Sequence, residues 1–356
     1  MSDRIVRLRE AMAEAGLDAV LISGYPNIRY FSGFTSDESK VLVTACSQTL
    51  FTDFRYLIQA AAQSPEFELV QPTGTVPEAV WEVLKREHCR KCGFEDGFLT
   101  VAEFSGFTTL PVEFVPWGKE LSRLRIVKTA EEAALLQKAQ DIADASLAEF
   151  LRQVKPGMTE REAAARLTYL GSMMGSEGPS FDPIVGSGPN GAMCHAVPGE
   201  RKLQTGDLVV IDFGCIYQGY HSDMTRTIAI GPVSEACHRI YDIVLEAQLK
   251  TLAEVRPGIT GAHLDGVARD VIASYGYGDC FGHGLGHGFG YEIHEAPRAG
   301  KKSTDVFVSG MTITVEPGIY VEGLCGVRIE DCTMVTETGC LNFVHTTKDL
   351  ITIQTI

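Results

Sequence analysis

One block of this chain occurs twice. Gly206-Asp-Leu-Val-Val-Ile-Asp212 returns as Gly310-Met-Thr-Ile-Thr-Val-Glu316, shifted by 104 positions. Leu151-Arg-Gln-Val-Lys-Pro156-Gly157-Met-Thr159 returns as Leu252-Ala-Glu-Val-Arg-Pro257-Gly258-Ile-Thr260, shifted by 101. Two nearly equal offsets over separate segments mark the halves of one duplicated unit. Whatever the first half builds, the second must build again, and a pseudo-twofold axis between them is the natural meeting place for equivalent strand ends.

What is duplicated is a strand ending in an acid. Residues 208 to 211 are an unbroken aliphatic run and read as a buried strand, so Asp212 at its end needs a partner. Folding the segment back about Tyr217-Gln218 is expected to set Asp212 opposite Asp223. A fold about Gly323 is likewise expected to set Glu316 opposite Glu330. Two acids on one face repel unless a cation lies between them, which makes a metal site the simplest reading. Salt-bridged strand ends are the plainer alternative, and the repetition of the arrangement weighs against it.

Phe281-Gly-His283-Gly-Leu-Gly-His287-Gly-Phe-Gly290 carries five glycines from 282 to 290 and is followed by His294-Glu295-Ala-Pro. So glycine-rich a stretch cannot be a stable helix, so His283 and His287 are expected on extended backbone, sharing a face, with another chain or a substrate close against them. Four carboxylates with an imidazole form a hard donor set that suits Mn²⁺, with Co²⁺, Fe²⁺ and Zn²⁺ also compatible. Charge balance calls for two divalent ions, and two ions roughly 3.5–4 Å apart can share a water acidic enough to supply hydroxide near neutral pH.

A net charge of −15 and a pI near 5.1 argue against nucleic acid or an anionic membrane surface as partner. Met1-Ser-Asp-Arg-Ile opens an amphipathic helix rather than a secretory segment, and no apolar run nears the ~18 residues of a membrane span. Ten cysteines without framework spacing fit a reducing compartment, so a cytoplasmic protein is expected.

Ile5, Leu8, Met12 and Ala15 follow helical spacing up to Gly16, and strands follow at Ala19–Ile22, Val41–Thr44 and Leu50–Thr52. These predict a smaller α/β domain over 1–125, with Val115-Pro-Trp-Gly118 and the basic Arg123-Leu-Arg125 as the crossing to a second domain over 126–356. Capping boxes at Thr129–Glu132 and Thr159–Glu162 open two helices of that domain, and Ser234 and Thr260 start two more. Two helices then an antiparallel sheet, twice over, is an α+β domain with a pseudo-twofold repeat.

Asp212, Asp223, His287, Glu316 and Glu330, with Val315-Glu316-Pro-Gly and Arg328-Ile-Glu330-Asp, resemble the five metal ligands of the pita-bread metallopeptidases: methionine aminopeptidase, aminopeptidase P and prolidase. His283-Gly-Leu-Gly-His287-Gly and Ile293-His294-Glu295-Ala-Pro resemble the proline-specific branch. Asn27-Ile-Arg-Tyr-Phe-Ser-Gly33-Phe and Phe51-Thr-Asp53-Phe-Arg55-Tyr resemble the creatinase-type N-terminal domain of prolidases and aminopeptidases P. Phe54 departs from the glycine often found there.

The resemblance implies hydrolysis of the bond preceding proline, in Xaa-Pro dipeptides or N-terminal Xaa-Pro peptides, by a bridging hydroxide on a dinuclear site. It makes Asp223 and Glu330 the bridging ligands, with Asp212 completing one ion and His287 with Glu316 the other. Glu316, or a neighbouring carboxylate, would carry the proton to the leaving nitrogen. His294 would contact the substrate carbonyl or help proton transfer, His195 and His283 would line the pocket, and Arg328 would hold the site's carboxylates. It also implies a homodimer. A catalytically inactive binding module and a metal-free amidinohydrolase share the fold, but both usually lack some of the five ligands.

Gly186-Ser-Gly188-Pro-Asn-Gly191 matches a dinucleotide-binding pattern, but no helix is expected after it, and it reads as support for His195. Cys89-Arg-Lys-Cys92 lacks a second pair and reads as a solvated helix end. His221-Ser-Asp223 could belong to a two-histidine, one-carboxylate iron site, which would leave Glu316, Glu330 and the repeat unexplained.

Overall fold

Capping sequences and buried apolar runs set the elements of the computed structural model, which describes residues 3–354. Met1 and Ser2 of the expected N-terminal helix lie outside the described residues. The chain divides into two compact units, one ending at Arg125 and the other beginning at Ile126.

The first unit is a six-stranded mixed sheet with helices. Its strands are β1 (Ala19–Ile22), β2 (Ser39–Thr44), β3 (Gln48–Thr52), β4 (Glu68–Val70), β5 (Lys91–Phe94) and β6 (Glu113–Pro116), in the order β4-β3-β2-β1-β5-β6. Its helices are α1 (Asp3–Glu14), α2 (Tyr25–Ser32), α3 (Leu57–Gln63), α4 (Val76–Arg86), α5 (Val101–Phe107) and α6 (Gly118–Arg123). Central β1, Ala-Val-Leu-Ile, is buried at every position, as a strand paired on both edges should be. The Cys89/Cys92 pair is not at a solvated helix end. Cys92 lies inside β5, which pairs with β1 and β6, and both thiols are buried. Arg125, the last residue of this unit, is buried. Phe54 is exposed in a turn, beside the Asp53–Arg55 ion pair.

The second unit repeats itself. Its first half holds α7 (Ala130–Leu151), α8 (Glu160–Met173), β7 (Ile184–Ser187), β8 (Leu208–Phe213), β9 (Ile216–Tyr217), β10 (Tyr220–His221) and β11 (Met224–Ile230). Its second half holds α9 (Glu235–Glu254), α10 (Gly261–Ser274), β12 (Gly286–Gly288), β13 (Glu295–Ala299), β14 (Thr312–Val315), β15 (Gly318–Val321), β16 (Cys325–Arg328), β17 (Asp331–Val335), β18 (Cys340–Asn342) and β19 (Thr352–Ile353). Thr129 and Thr159 cap α7 and α8 in full capping boxes, and Ser234 and Thr260 cap α9 and α10. Each half packs its helices over its own apolar core, one including Leu147, Phe150, Leu167 and Ile211, the other Val244, Ile272, Ile313 and Val327. A short 3-10 turn, Gly188–Ala192, follows β7, where nothing helical was expected; it is too short to present a helix N-terminus to a pyrophosphate.

The registers decide where the acids meet. Tyr217 pairs with Tyr220 about Gln218 and Gly219, both at positive φ, and the ladder continues with Asp212 opposite Thr225. Asp223 is therefore diagonal to Asp212, not opposite it as expected. In the second half, Val315 pairs with Asp331 and Gly318 with Arg328, so Glu316 and Glu330 are level with each other between the two ladders.

Candidate active site

Three of the four acids sit where strand pairing lapses, while Asp212 lies within its ladder, paired with Ile184 and Thr225. Asp212 is next to last in β8, Asp223 directly precedes β11, Glu316 lies between β14 and β15, and Glu330 lies between β16 and β17. A carboxylate turned into the apolar core would have nothing to satisfy it, whereas here all four open onto one cavity of about 510 Å³. His287 enters from the middle of β12. His283 does not share that strand, because only Gly286–Gly288 pairs with β13; it reaches the same cavity from a bend.

The glycines around His287 are required by close backbone approach. A Cβ on Gly286 would collide with the Thr314 carbonyl of β14, and one on Gly288 with the Ala296 carbonyl of β13. The His287 N–H donates to Thr314 Oγ1 (3.0 Å) and the Glu316 N–H to the Leu285 carbonyl (3.0 Å), which sets imidazole and carboxylate side by side. The approaching chain expected from the sequence is thus β14.

His287 Nδ1 lies 3.1 Å from the Gly288 carbonyl and must carry the proton in that contact. Its Nε2 lone pair then faces Asp223 Oδ2 (3.6 Å) and Glu316 Oε1 (3.5 Å). Asp223, His287 and Glu330 each offer a donor atom within 4.8 Å of the other two, and all three are buried. Thr225, facing Asp212 across the ladder, donates to Glu330 Oε2 (2.6 Å).

Crowding four buried acids has an electrostatic cost. Burial, then the charges of Glu330, Asp212 and Glu316, pushes Asp223 well above the usual carboxylate range. Burial with Glu316 and Asp212 does the same to Glu330. Glu316 is pushed up to about 8 by burial, against the pull of Arg328. Burial and the neighbouring His294 push His287 down to about 3, so its imidazole is neutral. Asp212 Oδ1 and Asp223 Oδ1 are buried without a hydrogen-bond partner. Unpartnered acceptors, mutually repelling carboxylates and a neutral imidazole lone pair turned toward them are the donor set a divalent cation would satisfy, so these residues fit the metal the sequence calls for.

The other expected residues, His195, His294 and Arg328, also line this cavity. His294 stacks edge-on to His287 with ring centroids 4.3 Å apart. Arg328 donates to Asp212 Oδ2 (2.5 Å), Thr225 Oγ1 (3.0 Å), the Cys194 carbonyl (3.1 Å) and Tyr320 Oη (2.8 Å). Tyr320 in turn bonds His283 Nε2 (2.9 Å). Burial and the Arg328 charge push His283 down to about 4, so a neutral ring accepts from the tyrosine and donates from Nδ1 to the Gly284 carbonyl.

Sequence reasoning missed Tyr320, Thr225 and Arg298. Tyr320 and Thr225 were within reach, two strand steps beyond Glu316 and one beyond Asp223 on the same pleat face. Arg298, at the second position past the cis Ala296–Pro297 bond, lines the cavity, and among the described residues no acidic side chain forms an ion pair with it.

Comparison with known proteins follows the same division. The model of metallopeptidase family M24 matches residues 134–337, and that of the creatinase/prolidase N-terminal domain matches residues 4–127. An Xaa-Pro dipeptidase of Pyrococcus horikoshii is 37% identical, over 99% of this chain and 99% of its own. The structure of an Xaa-Pro dipeptidase from Bacillus anthracis superposes with a TM-score of 0.95 at 41% identity, covering 98% of this chain and 99% of that one. An X-Pro aminopeptidase from Thermotoga maritima superposes at 0.91 with 34% identity, covering 99% and 100%.

Proposed function

The chain belongs to metallopeptidase family M24, with a creatinase-type N-terminal domain before a pita-bread domain, and on that premise we propose that it hydrolyses the bond preceding proline in Xaa-Pro dipeptides. The observation that carries this is the buried cluster of Asp212, Asp223, His287, Glu316 and Glu330 around unpartnered oxygens. Asp212, Asp223, His287, Glu316 and Glu330 would hold two divalent ions, Mn²⁺ first among Co²⁺, Fe²⁺ and Zn²⁺. When bound, such ions acidify water to hydroxide near neutral pH and polarise the scissile carbonyl.

The chain's own residues supply the rest. A proline amide has no N–H, and its nitrogen must be protonated as it leaves. The Glu316 carboxylate takes the proton of the attacking water and returns it to that nitrogen as the C–N bond breaks. His294 faces the scissile carbonyl, and His195 and His283 close the cavity around the substrate. Arg328 acts through others, fixing Asp212, the Cys194 carbonyl and the Tyr320–His283 pair. Arg298 is the cation left for the carboxylate of a C-terminal proline, which favours dipeptides over longer chains. A homodimer is proposed from the family resemblance, and a cytoplasmic setting from ten unpaired thiols.

The test is to strip the protein of metal, restore Mn²⁺, and compare an Xaa-Pro dipeptide with an Xaa-Pro-Xaa tripeptide. Faster dipeptide cleavage is expected. Faster tripeptide cleavage would make it an aminopeptidase P, and cleavage of neither with any divalent ion would leave the inactive-module or amidinohydrolase reading.

A further inference from the structure

Cys194 and His195 reach the cavity from a stretch with little secondary structure of its own. Past β7 the chain makes the 3-10 turn Gly188–Ala192 and no strand pairing up to residue 199. One carboxylate holds this excursion at several points. Glu160, the first residue of α8, is fully buried. Its Oε1 accepts from the Ser187 N–H (2.9 Å) and Ser187 Oγ (2.7 Å), and its Oε2 from the Gly199 N–H (3.2 Å). Asn190 Nδ2 lies 3.1 Å from both oxygens. The two ends and the middle of the excursion are thus tied to one side chain.

Glu160 is not needed for capping, because Glu162 closes the box with Thr159. Among the described residues no cation forms an ion pair with its carboxylate; the Arg201 guanidinium donates to Ser187 Oγ (2.5 Å), and the Arg201 carbonyl accepts from the Glu160 N–H (3.0 Å). A buried carboxylate so placed is sustained by its hydrogen bonds and by the first turn of its helix. The second half reaches the same outcome with other residues. The position 101 beyond Glu160 is Gly261, where a Cβ would collide with the Arg298 carbonyl. There α10 offers Asp265, which accepts from the Leu285 N–H (3.0 Å) and pairs with Arg269, whose guanidinium donates to the Phe281 carbonyl (2.7 Å) and the His283 carbonyl. In each half a buried acid on the second helix holds a loop that brings a histidine to the cavity.

We propose that Glu160 is a positioning residue of this site, its carboxylate clamping residues 187–199 so that His195 stays at the cavity. The kinetic part of the test rests on the peptidase reading; the clamp itself does not. Glu160→Gln keeps the side chain's size but turns an amide N–H₂ toward one of the loop's donors. In the manganese-loaded protein it is expected to lower kcat/KM on an Xaa-Pro dipeptide about tenfold with metal content unchanged. In a His195→Ala background the same change is expected to cost less than about twofold, because the residue it acts through is gone. Equal losses in both backgrounds would overturn the proposal. Asn190→Ala, which leaves Glu160 and its other bonds in place, should show the same non-additivity at about threefold. Should the parent protein cleave no Xaa-Pro peptide, the peptidase reading fails and the clamp is read spectroscopically. In the zinc-loaded protein, the His195 ring resonance, identified by its loss in His195→Ala, is expected to shift in both Glu160→Gln and Asn190→Ala. An unmoved resonance would overturn the clamp.

Discussion

Asp223 shows at the scale of one residue what the site is built to hold. Its carboxylate is buried, faces three other acids, and leaves Oδ1 without a hydrogen bond. Asp223→Asn is expected to lower kcat by at least about 10³-fold and to empty the site of metal, with the fold retained, because the loss of one repelling charge relieves the metal-free protein. Elemental analysis and far-UV circular dichroism check both halves of this. The titration of Glu316 gives a second prediction. Its folded value of about 8 lies above the roughly 4.3 of an unfolded chain, so its contribution to stability is complete below about 4 and is lost as pH rises through about 8. His287, pushed down to about 3, works the other way only below the ordinary histidine range. From pH 7 to 9 the melting temperature of the metal-free protein should therefore fall, and saturating Mn²⁺ should flatten the slope. A midpoint that rises over that interval would contradict the crowding of acids. Arg298→Ala should raise KM for an Xaa-Pro dipeptide about tenfold or more while changing that for a tripeptide far less, if this guanidinium reads the proline carboxylate.

The element that brings imidazole to carboxylate is the short β12, packed against β14 with no room for a side chain at Gly286. Gly286→Ala should cost about 1–3 kcal/mol by overpacking and displace His287, so denaturant unfolding and metal affinity should both register it. Unchanged metal affinity would show that the His287 strand is not held by this contact. At this scale the sequence was readable where local chemistry decides the outcome. Capped helices, the acid-ended strands and the unhelical glycine run follow from residues a few positions apart. Glu316 and Glu330 could be paired because a single glycine at 323 marks the turn. The Asp212 register was misjudged, since the Gln218-Gly219 turn sets Thr225 across from it, and a one-residue difference in turn placement is invisible in composition. The CxxC pair was misread for a similar reason: only pairing with β1 and β6 shows that Cys92 lies inside a sheet.

Across the second unit, the duplication explains why the site lies where the halves meet. Arg328 ties β16 to Asp212 of β8, Thr225 of β11 donates to Glu330, and the Glu330 N–H donates to the Thr225 carbonyl (3.1 Å). Residues more than a hundred positions apart thus form one network, and that is why Arg298 and Glu160 could not be assigned from neighbours in sequence. Metal at this junction should tie both halves together, so chelation is expected to lower the melting temperature by several degrees, and a melting temperature indifferent to chelator would argue against it. The most direct measurement is an anomalous difference map from manganese-loaded crystals, collected at the manganese edge. Two peaks enclosed by Asp212, Asp223, His287, Glu316 and Glu330 are expected, whereas a map with no peak among those five side chains, or with ions bound elsewhere, would contradict a dinuclear hydrolase.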